Sequence, residues 1–140
     1  NTNIANYVVD RVSIALNEKK MAIKGSKVLI VGLAYKSNVD DDRESSSYRL
    51  MDLLKARGAI ISYYDPHIPV IHKGRQHAQW AGYESVTWDK STIRAFDGVL
   101  IATKHTIINF QELVNWNNCI IDTRNSFQEI DPGSSKIWKA

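Results

Sequence analysis

A single cysteine, Cys119, stands among 140 residues, so no internal disulfide can staple the chain and no cysteine-rich structural zinc site can form. That excludes a cystine-framed secreted scaffold and points to a reducing, cytoplasmic setting. Long apolar runs are also missing. The longest, Val28 to Val31 and Gly98 to Ala102, fall far short of the roughly 20 residues that cross a bilayer, and no membrane segment is expected. Nor does one sign of charge dominate: 18 basic against 15 acidic residues leave a net charge of +3. Apart from Lys19, Lys20, Lys24 and Lys27 the basic residues are scattered, and no aromatic residue alternates with them, which argues against nucleic acid. The first residues, Asn1-Thr2-Asn3-Ile4, carry no initiator methionine, basic leader or cleavage signal, so they read as neither a natural start nor a signal peptide.

What is present suffices for one core. With 44% hydrophobic and 24% charged residues the chain has the composition of a globular domain. A chain this long buries roughly 68–70% of its unfolded surface.

Apolar residues at Ile4, Val8, Val12, Ala15, Leu16 and Met21 recur at helical spacing, which predicts an amphipathic helix over 4–21. Lys27 to Val31 is a continuous aliphatic run ended by Gly32, the mark of a strand buried on both faces. A helix is expected over 44–57, stopped by Gly58, then a strand over 59–64 closed by Asp65-Pro66. Residues 66–90 lack a clean period and read mostly as loop, with a short strand at Ser85 to Trp88. Helix over 91–96, strand over 98–103, helix over 110–116 and strand over 119–122 complete the pattern. Alternating strands and helices predict an α/β, Rossmann-like parallel sheet flanked by helices, preceded by the N-terminal helix.

Ligands of such sheets lie off the carboxyl ends of the strands, after Val31, Tyr64, Ala102 and Ile121. The first connection, Leu33 to Arg43, is about twice the ordinary 2–6 residues of a strand-to-helix loop. It offers backbone N–H groups, Lys36, Arg43 and a helix start, the chemistry that holds a pyrophosphate. The G-x-G-x-x-G fingerprint is missing, and Asp65 stands 33 positions after Gly32, late for a ribose ligand. By spacing alone these charges fit a solvated loop as well as a phosphate site.

The blocks Val28-Leu29-Ile30-Val31-Gly32-Leu33-Ala34-Tyr35-Lys36, Asn38-Val39-Asp40-Asp41, Arg43-Glu44-Ser45, Tyr64-Asp65-Pro66 and Asp122-Thr123-Arg124-Asn125 resemble, in order and spacing, the C-terminal domain of the UDP-glucose/GDP-mannose dehydrogenase family. The resemblance implies a UDP-sugar-binding domain over 25–140, preceded at 1–24 by the end of the family's central, dimerising helical segment. There the chain has Asn6 where the family commonly has proline. Tyr35 and Lys36 match the start of the family's substrate loop, which continues through Ser37, Asn38, Val39, Asp40, Asp41 and Asp42. Arg124 matches an arginine that contacts the substrate, and Arg43 one that reaches the NAD cofactor.

The implied parent oxidises the C6 alcohol of a nucleotide sugar to a carboxylate, with two hydride transfers to NAD. Asp122-Thr123-Arg124-Asn125, in place of D-G-R, resembles members acting on UDP-N-acetylhexosamines. The implied partners are a UDP-sugar, the remainder of the parent chain and further copies of it. No catalytic residue is expected in this segment, because the family's nucleophile is a cysteine in a C-F-P-K-D-like motif and Cys119 opens a buried strand instead. By itself the segment is expected to be inactive. A stand-alone nucleotide-binding or regulatory module, and a plain interaction domain, are the other readings of the same fold.

Several residues keep two readings. Asp65-Pro66 is a strand-ending turn or a nucleotide contact; His105 approaches the substrate or lines the rim. Asp40, Asp41 and Asp42 are read as caps of the following helix, Ser45, Ser46 and Ser47 as hydrogen-bonding groups in its first turn, and Asp122 as a support for Arg124 or its loop. His67, His72, His77 and His105 show no metal-ligand spacing, and Trp80, Trp88, Trp116 and Trp138 are read as core or interface anchors.

Overall fold

The computed structural model describes residues 2–43, 45–74, 77–128, 130 and 136–140. Glu44, within the Arg43-Glu44-Ser45 block, lies outside them. Helix α1 spans Thr2–Glu18 and is followed by β1 (Lys27–Val31), α2 (Ser47–Ala56), β2 (Ile60–Tyr64), α3 (Lys90–Arg94), β3 (Gly98–Ile101), α4 (Phe110–Trp116), β4 (Ile120–Asp122) and β5 (Ile137–Lys139). All five strands are parallel, in the order β2-β1-β3-β4-β5.

The aliphatic runs build two cores at once, because successive side chains on a strand point to opposite faces. Val28, Ile30, Leu100 and Ile121 face the core that holds α1 and α2, while Leu29, Val31, Val99, Ile101 and Ile120 face the one that holds α3 and α4. Helix α1 contributes Val8, Val9, Val12, Ala15 and Leu16 to the first of these. It stops where Lys20 takes a left-handed conformation (φ 61°), with the Lys20 N–H bonded to Asn17 O and the Met21 N–H to Leu16 O. Those bonds satisfy the last carbonyls of the helix in a Schellman turn, with lysine where glycine is usual.

The structure departs from the expected elements over 66–90 and after β4. Ser85 to Trp88 forms no strand; the ordered features of 66–90 are a 3-10 turn at Ala78–Trp80 and an isolated antiparallel bridge between Val70 and Glu84. Buried Ile68, Ile71 and Trp80 fasten this segment to the α2 side singly rather than at a repeating interval, so no period shows. The other change is β5, a strand not expected from the sequence. Its three residues pair with β4 at the sheet edge, too short a run to display alternation. No helix among the described residues is long and apolar enough to cross a membrane.

Candidate functional site

The sheet order reverses between β1 and β3, so the loops leaving these two strands meet at the position where open α/β sheets bind ligands. Gly32, at φ 94°, brings the loop from β1 against Thr103, and the Thr103 hydroxyl donates to the Ala34 carbonyl at 2.9 Å. Asp65, at the end of β2, completes the junction. Its Oδ2 accepts from the backbone N–H groups of Leu33 at 2.7 Å and Ala34 at 3.2 Å and lies 2.9 Å from His105 Nε2. Oδ1 accepts from the His67 N–H. Burial alone would raise the Asp65 pKa, but the bonds from His105, Leu33 and His67 outweigh it and hold the carboxyl below its usual range.

Asp65 and His105 are buried and bonded to each other, so His105 does not line the rim, and Asp65 ends β2 in a turn by accepting from the His67 N–H.

Beyond Ala34 the loop turns outward. Tyr35, Lys36, Ser37, Asn38 and Asp40 are exposed, Val39 tucks against the α1–α2 core, and the Tyr35 N–H reaches back to the Asp41 carbonyl at 2.6 Å. Arg43 meets Asp41 through two parallel bonds of 3.0 Å, from Nε to Oδ1 and from an Nη to Oδ2. Bonding from that guanidinium lowers the Asp41 pKa to about 2. Asp42 accepts from the Tyr48 hydroxyl, whose ring stacks on His77 at 4.0 Å. Burial first, then the bond to Asp42, keep that phenol protonated well above its ordinary range.

Helix α2 is therefore not capped as expected. Asp41 and Asp42 point to Arg43 and Tyr48, and Ser46, at the cap position, makes no side-chain capping bond. Its neighbours supply local bonds instead: Ser45 Oγ accepts from the Ser47 N–H, and Ser47 Oγ donates to the Gly32 carbonyl at 2.8 Å.

Arg124 follows β4. Asp122 shapes its turn by accepting from the N–H groups of Arg124 and Ser126, and Arg124 Nε donates to the Ala102 carbonyl at 3.0 Å. A guanidinium held through Nε keeps its Nη edge for another partner. Arg124 lines a cleft of about 640 Å³ with Thr123, with Tyr7 and Val8 of α1, and with Ser46 and Arg49 at the start of α2. Lys36 and Tyr35 do not line it; they stand on the loop from β1. Arg49 lines the cleft although no motif in the sequence singled it out. The one signal was its place in the first turn after the long loop. Among the described residues no group of three or more His, Cys, Asp or Glu is placed to hold a metal ion.

The model of the UDP-glucose/GDP-mannose dehydrogenase family, UDP binding domain, matches residues 29–129. The chain belongs to this family. Its UDP-binding domain accordingly takes in both the Lys36 loop and Arg124. A UDP-N-acetyl-D-mannosamine dehydrogenase of Methanococcus maripaludis is 35% identical over 147 aligned positions, covering 99% of this chain and 30% of the relative. A UDP-N-acetyl-D-glucosamine 6-dehydrogenase of Salmonella typhi is 29% identical over 108 positions, covering 75% of this chain and 23% of that protein. Among solved structures, a UDP-D-ManNAc dehydrogenase of Pyrococcus horikoshii superposes with a TM-score of 0.75 at 19% identity, covering 99% of this chain and 31% of that one, which shows the shared fold. The chain thus spans about a third or less of the length of these dehydrogenases.

Proposed function

We propose that this chain is the UDP-sugar-binding domain of an NAD-dependent nucleotide-sugar 6-dehydrogenase, with a UDP-N-acetylhexosamine as its substrate. The observation that carries the reading is the family match from residue 29 to residue 129, which spans the Lys36 loop and Arg124 together. The acetylated sugar is favoured by the UDP-N-acetyl-D-mannosamine dehydrogenase that is 35% identical over 99% of this chain.

Each part of the ligand finds a suited group. A pyrophosphate is a doubly charged acceptor, matched by the exposed ammonium of Lys36 and by the Nη edge of Arg124. The ring of Tyr35, 55% exposed, offers a face on which a base can stack. Asn38 to Asp42 continue the loop, with the exposed Asp40 carboxylate offered to sugar hydroxyls. Residues 1–24 serve as the end of the central segment through which copies of the parent associate, and 25–140 as the binding domain.

Toward NAD the chain fits a single contact. Arg43 already holds a carboxylate in the two-pronged geometry that a phosphate oxygen pair would take, and its side chain is 84% exposed. When bound in the parent, NAD supplies the hydride acceptor for oxidation of the C6 alcohol to the carboxylate. The one thiol, Cys119, is buried just ahead of β4, away from the carboxyl edge of the sheet, which supports a nucleophile supplied by another part of the parent.

Calorimetric titration with UDP and with UDP-sugars tests the assignment. Weak binding is expected, weakened further by Lys36→Ala or Arg124→Ala. Unchanged binding in both variants would refute it, and NAD reduction by the chain alone would contradict the placement of the nucleophile elsewhere.

A further inference from the structure

We infer that His105 and Asp65 are positioning residues that set the conformation of the Tyr35–Asn38 arch, the imidazole gripping one end of it and the carboxylate the other. The inference rests on the reading of that arch as part of the UDP site and adds residues to which the family resemblance gave no such role.

The direction of each bond follows from chemistry. The Asn38 main-chain nitrogen lies 2.8 Å from His105 Nδ1 and can only donate, so Nδ1 is the acceptor and the ring proton sits on Nε2. Nε2–H then donates to Asp65 Oδ2 at 2.9 Å. That oxygen also takes the N–H groups of Leu33 and Ala34. One carboxylate therefore fixes residues 33 and 34, and one imidazole fixes residue 38. The exposed Tyr35, Lys36 and Ser37 are strung between these anchors.

Two more observations point the same way. Asn38 sits in the left-handed region at φ 65°, and its side-chain oxygen accepts from both the N–H and the hydroxyl of Thr106, so Asn38 and the His105–Thr106 pair clasp each other. Both His105 and Asp65 side chains are 0% exposed. An aliphatic residue at 105 would fill the same space, but it would strand the Asn38 N–H and leave the carboxylate short of a donor. Filling the core does not require this pair; placing the arch does.

Two substitutions separate the anchors. Asparagine at 105 presents an oxygen at the level of Nδ1 and keeps the grip on Asn38; glutamine reaches the level of Nε2 with an amide N–H and keeps the grip on Asp65. In the 140-residue chain, amide exchange at Asn38 is expected to quicken about tenfold in His105→Gln and to stay within about threefold of wild type in His105→Asn. UDP affinity should fall in the same order and by similar factors. Nitrogen-15 spectra of the unsubstituted chain should show the ring proton on Nε2, a readout independent of whether either variant folds. A proton on Nδ1, or an Asn38 amide equally protected in both variants, would overturn the inference. The exchange and tautomer measurements contain no ligand, so a wild-type chain that takes up no UDP would overturn the assignment of the arch to UDP and not its positioning.

Discussion

The backbone of Gly32 lies so close to Thr103 that a β-carbon on Gly32 would stand 2.5 Å from Thr103 Cβ and 2.6 Å from the Thr103 carbonyl oxygen. This contact joins the loops from β1 and β3 and sets the direction in which the Tyr35–Asn38 arch leaves the sheet. Gly32 also has φ 94°, which side-chain-bearing residues rarely adopt. Gly32→Ala therefore suffers a backbone penalty and a steric one, and is expected to lose about 2–4 kcal/mol in urea denaturation. Gly25→Ala is the control: φ is 86° but nothing lies within 4 Å, so only the backbone cost of about 1–2 kcal/mol applies. Equal losses in the two variants would show that the Thr103 contact yields freely.

Asp65 gives a pH-dependent expectation. Its folded pKa is depressed, so the stability it contributes is fully present above the ordinary carboxyl value of about 4 and drains away as pH falls through the folded value. Asp65→Asn puts an amide donor among donors from Leu33, Ala34, His67 and His105. It should cost about 3 kcal/mol at pH 7, and the gap to wild type should narrow below about pH 4. A gap that stays constant from pH 7 to pH 3 would mean that the carboxylate charge plays no part.

How far the sequence speaks depends on where the information lies. The strand cores were legible because Val28 to Val31 and Gly98 to Ile101 are short apolar runs, rich in Val and Ile and bounded by Gly32 or Gly98, as strands covered on both faces are. The family blocks were legible for a different reason, since their chemistry is local. His105 was not: its meaning comes from Asn38, 67 positions away, and from Asp65, 40 positions away, and no periodicity couples them. Arg49 was hidden likewise. An arginine on the polar stripe of a helix looks solvated until α1 and the end of β4 close a cleft around it.

Cys119 supplies a negative expectation. Burial raises its thiol pKa, with the Lys19 ammonium acting in the opposite sense, and the residue is fully buried. Ellman's reagent at pH 8 should leave the native chain unlabelled and modify the thiol fully once urea unfolds it. Rapid labelling of the folded chain would show a reactive thiol and reopen the question of a local nucleophile.

Arg49 and Arg124 line the same cleft, one from the start of α2 and the other from the residues just after β4. If both guanidinium groups engage one pyrophosphate, each single alanine variant should lower UDP affinity about tenfold, in line with charge-assisted hydrogen bonds of about 1.5–3 kcal/mol partly screened by solvent. The double variant should then lose less than the product of the single losses, because the ligand shifts once either grip is gone. Raising the salt concentration should weaken wild-type binding more than binding by the double variant. Strictly multiplicative losses would assign the two arginines to separate parts of the ligand, and full affinity in Arg49→Ala would restrict the site to Arg124 and the Lys36 loop.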